Sequence, residues 1–258
     1  MIAGIIRLFR YFQKNQSSDD FISFASHELR TPLSITKWYT EMLLDEDAGF
    51  LTENQRTYLK QIESSNQRAI DLVRSLLNVS RLSLDTFSIF PEKVNVADLA
   101  EECLSSLEVL RSRKEIHIVR EFNKNVPHVF LDRKIVLISI RTLILNALLF
   151  SSSNATVVVR IRKHGDFIEV SVSDDGIGIP DKDKDKVFTK MFRASNAKDD
   201  ETKGSGLGLY ITKTIVERSG GGITFSSKEG SGSTFTLFFP RHGMKKKKGR
   251  TTLDTGLV

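Results

Sequence analysis

Cysteine is almost absent from the sequence, which contains one, Cys103. A single thiol cannot form an internal disulfide, and there is no cysteine cluster of the kind that binds structural zinc. Long apolar runs are also missing, since no stretch approaches the roughly 18 residues that a membrane-spanning helix needs. The sequence contains no internal repeat. These absences exclude a disulfide scaffold and a repeat architecture. They predict a protein of a reducing compartment, with its catalytic portion in the cytoplasm.

What the 258 residues do contain is typical of a globular protein, with 40% hydrophobic and 27% charged residues. The net charge of +6 is concentrated at the two ends: residues 1–14 carry +3 and residues 241–258 carry +5, which leaves about −2 for residues 15–240. Because the positive excess lies outside the part that is expected to fold, it is poor evidence for nucleic-acid binding. We expect no nucleic-acid partner.

The N-terminal segment, residues 1–18, opens with the apolar stretch MIAGIIRLFRYF. This stretch is short, is interrupted by Arg7 and Arg10, and lacks the small-residue cleavage site of a signal peptide. Three interpretations stay open: the stub of a membrane segment, an amphipathic surface anchor, or the first turns of the next helix. A truncated anchor would predict association with the inner face of the cell membrane.

Residues 19–82 are predicted to form two long helices, over residues 19–45 and 52–81, because their apolar residues recur at helical spacing. The helices carry adjacent apolar stripes, and one antiparallel hairpin cannot bury all of them. Pairing with a second copy as a four-helix bundle would bury both, so we predict a homodimer. Pro32 removes one backbone hydrogen bond from the first helix and should bend it just after His27.

His27 lies next to Glu28, on a face of the first helix that points away from its main apolar seam. Histidine has an unperturbed pKa of about 6.5, so its neutral, nucleophilic form is available at physiological pH. An exposed neutral imidazole beside a carboxylate could therefore accept a transferred group. The simpler interpretation is an ordinary surface histidine on an amphipathic helix, and this stretch alone favours the simpler one.

Residues 83–92 are predicted to be a linker, and residues 93–240 a second domain in which helices and strands mix. The patterns predict helices over residues 96–112, 133–150 and 207–219, and strands over residues 116–119, 156–163, 167–173, 222–227 and 233–239. This mixture predicts an α/β sandwich, one sheet covered on one side by helices. Residues 241–258 are predicted to be a basic disordered tail. The fold class is therefore α+β and multidomain.

Two glycine motifs in the second domain have the chemistry of a nucleotide site. The first, DDGIGIP at residues 174–180, follows a strand and places a carboxylate beside two glycines, where it could accept a hydrogen bond from an exocyclic amine. The second, GSGLGL at residues 204–209, opens a helix, whose N-terminal N–H groups suit phosphates. A dinucleotide-binding fold is rejected, because a charged irregular segment and no strand precedes the second motif.

Asn146 lies within the strongly apolar helix of residues 133–150. Its neutral amide oxygen is a hard ligand, suitable for a Mg²⁺ ion that keeps waters and phosphate oxygens. Alone, it is more simply explained as a buried asparagine bonded to backbone. Its position between the histidine motif and the glycine motifs favours the ligand role.

In this order the motifs resemble the transmitter portion of two-component sensor histidine kinases, over roughly residues 19–240. The matching segments are the phosphoacceptor box SHELRTP (26–32), the glycine boxes DDGIG (174–178) and GSGLGL (204–209), the phenylalanine box FTKMFR (188–193), and the last glycine turn GSGSTF (230–235). The resemblance implies a dimerisation and phosphoacceptor hairpin followed by a Bergerat-type ATP-binding domain.

The resemblance also implies a role for each matching residue. His27 would be phosphorylated, with Glu28 as the neighbouring base or orienting carboxylate, and Thr31 would orient water for dephosphorylation of the partner regulator. Asn146 would ligate Mg²⁺ and Asp174 would bind the adenine amine. The other nucleotide-site residues implied are Gly176, Gly178, Phe188, Phe192, Arg193, Gly204, Gly206, Leu207 and Gly208. An alternative for Arg193 is a solvated position on the surface. An alternative for Phe188 and Phe192 is packing under the lid.

Two positions of the asparagine helix depart from the family pattern. Thr142 replaces an asparagine and can still offer a hydroxyl oxygen, whereas Leu149 replaces a cation and cannot compensate phosphate charge. The expected function is a Mg·ATP-dependent protein-histidine kinase that passes the phosphoryl group to an aspartate of a response regulator and also acts as its phosphatase. The alternative is a dimeric regulator or phosphatase that binds nucleotide but autophosphorylates poorly.

Overall fold

The computed structural model describes residues 18–47, 49–197 and 204–255, with side chains from residue 28 onwards. They form two compact units that divide between Thr86 and Phe87, inside the predicted linker. The expectations for residues 1–17 lie outside the described ranges. Within those ranges, no helix is both long and apolar enough to cross a membrane.

The first unit is a hairpin of two long helices, α1 (Ser18–Leu44) and α2 (Glu53–Ser83). Helix α2 begins with a capping box, in which the Thr52 hydroxyl accepts from the Gln55 backbone N–H and the Gln55 side chain accepts from the Thr52 backbone N–H. Arg56 donates to the Leu44 carbonyl and forms an ion pair with Glu46, which ties the interhelical turn to α2. The predicted helical hairpin is confirmed.

Pro32 does not end helix α1, which continues for three more turns. The carbonyls at this point take additional side-chain donors: the Thr36 hydroxyl donates to the Pro32 carbonyl over 2.9 Å, and the Asn66 amide donates to the Leu33 carbonyl over 2.8 Å. Asn66 is buried on α2, so this bond joins the two helices. A side chain of α2 thus bonds to α1 directly next to Pro32, which has no N–H to donate.

The second unit contains a five-stranded sheet in the order β2-β4-β5-β7-β6, in which only β2 and β4 run parallel. A separate antiparallel pair is formed by β1 and β3. The elements are β1 (Glu92–Val94), α3 (Val96–Ser106), α4 (Glu108–Arg113), β2 (His117–Phe122), β3 (Val129–Leu131), α5 (Arg133–Phe150), β4 (Thr156–His164), β5 (Phe167–Asp174), α6 (Gly208–Arg218), β6 (Gly222–Ser227) and β7 (Ser233–Pro240), with 3₁₀ turns at Asp181–Lys186 and Ser195–Ala197.

The core of this unit lies between one face of the sheet and the helices α3, α5 and α6. Helix α5 is central, since it contacts α3, α6 and the strands β4, β5 and β7. Side chains alternate along the strands, and the residues buried on the helix side are Val157, Val159, Ile161, Ile168, Val170, Val172, Phe235, Leu237 and Phe239. The predicted α/β sandwich is confirmed.

The boundaries differ from the sequence prediction in several places, and β2 extends to Phe122, beyond the predicted end at residue 119. The helix predicted over residues 96–112 is interrupted at Leu107, which has φ −109° and ψ 8°. The two short strands β1 and β3 were not predicted, because three residues carry too little periodicity to be recognised. The predicted disordered tail is wrong over residues 241–255, where Met244 and Leu253 are buried and backbone pairs with residues 87–89.

Asp132 joins three parts of the second unit. Its Oδ1 caps α5 by accepting from the N–H groups of Lys134 (2.9 Å) and Ile135 (3.2 Å), and its Oδ2 accepts from the Phe90 N–H over 2.7 Å. We predict that Asp132→Ala lowers the free energy of unfolding by about 2–3 kcal/mol, because it removes a helix cap and leaves the Phe90 N–H without its acceptor. Denaturant titration measures this change.

The matched control for this experiment is Asp185→Ala, at an exposed aspartate of the first 3₁₀ turn. We expect it to change the free energy of unfolding by less than about 0.5 kcal/mol. Equal effects of the two substitutions would contradict the role given to Asp132.

Candidate functional site

Helix α5 presents the predicted metal ligand in the middle of a stripe that faces both glycine motifs. Thr142, Asn146 and Phe150 are spaced four residues apart, so they lie along one side of the helix. Thr142 contacts the second glycine motif, because a Cβ built on Gly208 would lie 3.1 Å from its Cγ2. At the other end, the Phe150 carbonyl accepts from the Ile177 N–H of the first motif over 3.2 Å. The structure thus brings Asn146 between the two motifs.

Asp174 ends strand β5 and is half-buried. Its Oδ1 accepts two backbone N–H groups, from Gly176 over 2.9 Å and from Ser233 over 3.2 Å. Burial raises the pKa of the Asp174 carboxyl above its ordinary value, the Asp175 charge acts in the same direction, and the two backbone donors oppose both. With Oδ1 committed, Oδ2 is left to accept a hydrogen bond from a ligand amine.

The first glycine motif is pressed between α5 and the turn from β6 to β7. A Cβ on Gly176 would lie 2.5 Å from the Phe150 carbonyl oxygen. Gly178 has φ +62°, and a Cβ there would lie 2.0 Å from the Lys228 carbonyl oxygen. The Gly230 N–H donates to the Ile177 carbonyl over 2.8 Å. Any side chain at Gly176 or Gly178 would push this loop away from its supports.

The second glycine motif leads directly into helix α6. Gly206 has φ +70°, and a Cβ there would lie 2.7 Å from the Phe192 carbonyl oxygen, whereas Gly204, with φ +89°, has open space around it. Leu207 is 1% exposed, so its side chain belongs to the core. No side chain caps the N-terminus of α6 among the described residues. Its first N–H groups therefore suit a phosphate.

The phenylalanine box supports the loop before the second glycine motif. Phe188 packs edge-on against Phe225 with ring centroids 5.6 Å apart, and Phe225 stacks on Phe235 at 5.4 Å. The Lys213 ammonium lies 5.1 Å from the centre of the Phe188 ring. Phe188 therefore has a packing role in this structure, which was one of the two interpretations of its position.

Arg193 also has an internal contact, because its Nη2 donates to the Ala197 carbonyl over 2.6 Å. Nearby, Asn196 was not predicted from the sequence, yet its Nδ2 donates to the Gly178 carbonyl over 3.1 Å. This bond ties the segment before the second glycine motif to the first motif. Asn196 stands in a charged irregular stretch without periodicity, so no pattern could have indicated it.

The Asn146 side chain fits a magnesium ligand. It is half-buried and forms no hydrogen bond with any described residue, so its amide oxygen remains available. No cluster of three His, Cys, Asp or Glu side chains that could hold a metal occurs in the described ranges. Mg²⁺ does not need one, because it commonly binds one or two protein oxygens together with substrate phosphates and waters.

The two departures in α5 have different surroundings. The Thr142 hydroxyl donates to the Ile138 carbonyl over 2.8 Å, which leaves its lone pairs free to accept or to ligate. Near Leu149, the Lys114 ammonium donates to the carbonyls of Leu148 (2.8 Å), Leu149 (2.9 Å) and Ser151 (2.9 Å). This lysine caps the C-terminal end of α5 and does not replace the missing cation.

The predicted phosphoacceptor residues lie in the other compact unit. His27 falls within α1, and its side chain lies outside the described residues. Glu28 and Thr31, on the turn that follows, are exposed. The structure therefore groups the predicted site residues into two sets: Asn146, Asp174 and the glycine motifs in the second unit, and the phosphoacceptor residues in the first.

Two family models match the chain, one on each unit. The His Kinase A (phospho-acceptor) domain matches residues 17–84, and the histidine kinase-, DNA gyrase B- and HSP90-like ATPase family matches residues 132–243. The first match contains His27, and the second contains Asn146 and both glycine motifs.

The chain is also similar to several named proteins. It is 32% identical to the circadian input-output histidine kinase CikA of Synechococcus elongatus over 88% of this chain and 30% of that protein. It is 31% identical to the sensor histidine kinase WalK of Bacillus subtilis over 93% of this chain and 39% of that protein. The crystal structure of full-length ShkA in complex with AMPPNP covers 87% of this chain and 47% of its own, with a TM-score of 0.69 and 21% identity, a likeness of fold. The chain thus spans less than half the length of each of these proteins.

We predict that Asp174→Asn weakens binding of an adenine nucleotide about 10- to 100-fold, since a hydrogen bond to a charged acceptor contributes about 1.5–3 kcal/mol. Oδ1 accepts two backbone N–H groups, so the new NH₂ would take the place of Oδ2 and face the adenine amine as a second donor. Burial raises the pKa of Asp174, and only the charged carboxylate accepts the hydrogen bond. The wild-type affinity should therefore fall as the pH is lowered, and the fall should begin at a pH above the ordinary aspartate pKa of about 3.9. Calorimetric titration against pH measures both effects.

The control for charge is Asp175→Asn, at the exposed neighbour whose Oδ2 accepts from the Thr156 N–H over 3.1 Å. We expect a change in affinity of less than about threefold, because a surface charge contributes little. An Asp174→Asn protein with unchanged affinity, or with the wild-type pH dependence, would contradict the role given to this carboxylate.

We predict that Gly206→Ala reduces nucleotide affinity and stability more than Gly204→Ala. Both residues have positive φ, so both substitutions carry the cost of a strained backbone, about 1 kcal/mol or more. Only at Gly206 would the methyl group also meet the backbone of Phe192. Nucleotide titration and thermal unfolding of the two variants separate the steric effect from the conformational one. Equal losses of affinity and stability in the two variants would refute the steric role of Gly206.

Proposed function

We propose that this chain, which belongs to the two-component histidine kinases, transfers the γ-phosphoryl group of ATP to His27. From there the group passes to an aspartate on the receiver domain of a separate response regulator. The observation that carries the proposal is the convergence of the Asp174 loop, the second glycine motif and Asn146 on one helix, in a chain whose other unit bears the phosphoacceptor motif.

The nucleotide would be held by groups that the fold leaves unused. Oδ2 of Asp174 would accept from the adenine amine, and the N–H groups at the start of α6 would bind phosphate oxygens. Asn146, with Thr142 beside it, would ligate Mg²⁺. When bound, this ion neutralises phosphate charge. The protein's contribution is to position the γ-phosphate and to hold its charge.

In the transfer step, an imidazole nitrogen of His27 attacks the γ-phosphorus, the bond to the bridging oxygen breaks, and ADP leaves with the electron pair. Glu28 would hold the proton on the other ring nitrogen, which keeps a lone pair on the attacking one. Thr31, one turn further along α1, would orient the water that removes the phosphoryl group from the regulator. Both neighbours are exposed, as a partner protein requires.

The hairpin would act as a homodimer. Its apolar stripes remain uncovered within the unit, with Trp38 58%, Leu29 50% and Ile35 49% exposed on α1. Helix α2 has exposed Tyr58, Ile62, Leu72 and Leu76 as well. A second copy would bury these side chains in a four-helix bundle, at roughly 1.5–3 kcal/mol for each large residue that is fully removed from water.

We also propose a cytoplasmic location for the catalytic portion. The support is the cysteine content, since the single thiol of Cys103 cannot form a disulfide within the chain, as is typical of proteins of a reducing compartment. Association with the inner face of the membrane would depend on the N-terminal segment.

We predict that [γ-³²P]ATP with Mg²⁺ labels the protein in a form that is labile to acid and stable to base, as expected of a phosphorus–nitrogen bond. His27→Gln should abolish the label, because glutamine offers no nucleophilic nitrogen, whereas His128→Gln, at an exposed histidine of the second unit, should retain it. Label that persists in His27→Gln would overturn the assignment.

The same preparation distinguishes the alternative function. Normal ATP affinity without phosphohistidine, together with dephosphorylation of a phosphorylated regulator, would identify a regulator or phosphatase. In a working kinase, Thr31→Ala should keep the label on His27 and lose dephosphorylation of the regulator.

A further inference from the structure

The lysine run at residues 245–248 has no part in the proposed chemistry, yet it lies in an ordered segment. Residues 244–253, named the strap below, follow the last strand and pack onto residues 87–90, where the second unit begins. Two apolar side chains anchor the strap, since Met244 is 7% and Leu253 4% exposed. The strap is therefore a part of the folded unit.

Main-chain hydrogen bonds join the strap to residues 87–90. The Ile89 N–H donates to the Lys247 carbonyl over 2.9 Å, and the Lys247 N–H donates back to the Ile89 carbonyl over 3.1 Å. The Ser88 N–H donates to the Thr251 carbonyl over 2.8 Å, and the Ser88 hydroxyl accepts from the Gly249 N–H over 3.0 Å. Without the strap, Ser88 and Ile89 would lose these partners.

The strap is also fixed to the start of α5. The Met244 N–H donates to the Phe130 carbonyl over 2.8 Å, and its sulfur lies 3.3 Å from the Asp132 nitrogen as a weak acceptor. Asp132 in turn accepts from the Phe90 N–H. The beginning of the second unit is thus held by the same helix that carries Asn146.

Two of the four lysines of the run lie over aromatic rings. The Lys247 ammonium is 4.3 Å from the centre of the Phe87 ring, and the Lys246 ammonium is 6.0 Å from that of Phe90. Such contacts are favourable cation–π interactions. Lys248 is exposed and has no ring contact of this kind. The run therefore combines lysines that hold the strap with a lysine that does not.

The strap decides how much chain connects the two units. Helix α2 ends at Ser83, and the N–H groups of residues 84–86 bond back to carbonyls of its last turn. The strap holds the chain from Phe87, so residues 84–86 are the whole connector between the helix and the held segment. Three residues span at most about 10 Å. If the strap were released, the next bond would be the one from Phe90 to Asp132, and the connector would grow to residues 84–89. Six residues span at most about 20 Å.

We propose that the strap sets the length of this connector, and thereby keeps the ATP-binding unit at a high effective concentration around His27. For a connector that is already long enough to let the unit reach its target, effective concentration falls roughly as the −3/2 power of connector length, so a doubling lowers it about threefold. The inference rests on the proposed phosphorylation of His27. It deepens that proposal by assigning residues 244–253 a part in the rate of transfer.

The test compares two full-chain variants with the wild type. In one, a stop codon after Gly243 removes the strap, and in the other Gly-Ser-Gly is inserted between Leu84 and Asp85 with the strap intact. Both should bind ATP normally and autophosphorylate about threefold more slowly at saturating ATP, because each doubles the connector by a different route. A strap deletion that binds ATP normally and autophosphorylates at the wild-type rate or faster would overturn the proposal.

Point variants keep the inference testable if the deletion fails to fold. Lys247→Glu should reduce the rate and speed amide hydrogen exchange of Ser88 and Ile89, whereas Lys248→Glu, with the same change of charge, should do neither. Equal effects of the two would indicate that the run acts as a charged patch, such as one for nucleic acid or lipid, and would refute the strap. If the wild type forms no phosphohistidine, the proposed function fails, while hydrogen exchange still tests whether the strap holds residues 87–90.

Discussion

The close approach of two loops to one helix is the constraint on which the second unit depends. The first glycine motif meets the Phe150 backbone and the second meets Thr142, so the loops lie at opposite ends of the stripe that contains Asn146. A Cβ at Gly176 would lie 2.5 Å from the Phe150 carbonyl oxygen and would push its loop off the helix, whereas one at Gly208 would meet only the Thr142 methyl group, at 3.1 Å. Glycine is thus required by steric space at the first contact, and the lack of side chains in both motifs suits backbone N–H groups to phosphates.

Two aspartates of the second unit hold backbone segments in a similar way. Asp132 uses one carboxylate oxygen to cap α5 and the other to hold the Phe90 N–H. Asp174 commits one oxygen to two backbone N–H groups and keeps the other for a ligand. In both, backbone donors fix the carboxylate orientation, so a partner meets a group that is already in place. For Asp174, burial raises the pKa, which would link the proposed nucleotide recognition to protonation.

The two units differ in how completely they bury their apolar residues. The second buries its core between helices and one face of the sheet, whereas the hairpin leaves large apolar residues such as Trp38 uncovered. The proposed pair of hairpins would supply what one lacks, so dimerisation would be part of its folding energetics. The connector between the units is short because residues 84–86 bond to the end of α2, and because residues 87–89 bond to a segment about 160 positions further along the chain.

The local sequence by itself determined those helices and strands whose signals lie within a few consecutive residues. Asp132 before an apolar run marked α5, Thr52 before Glu53 marked the start of α2, and alternation marked the strands β4 and β5. The glycine motifs and the phosphoacceptor stretch were recognisable for the same reason, because their chemistry needs particular residues at fixed spacing.

Only the tertiary structure decided the pairing of β1 with β3, the bond from Asn196 to Gly178, the cap that Lys114 places on α5, and the ordered strap. Each of these joins positions far apart in the sequence, through bonds whose partners no local pattern specifies. A lysine run predicts solvent exposure on its own, and it becomes ordered here because Phe87 and Ile89 offer rings, apolar surface and unpaired main chain to receive it.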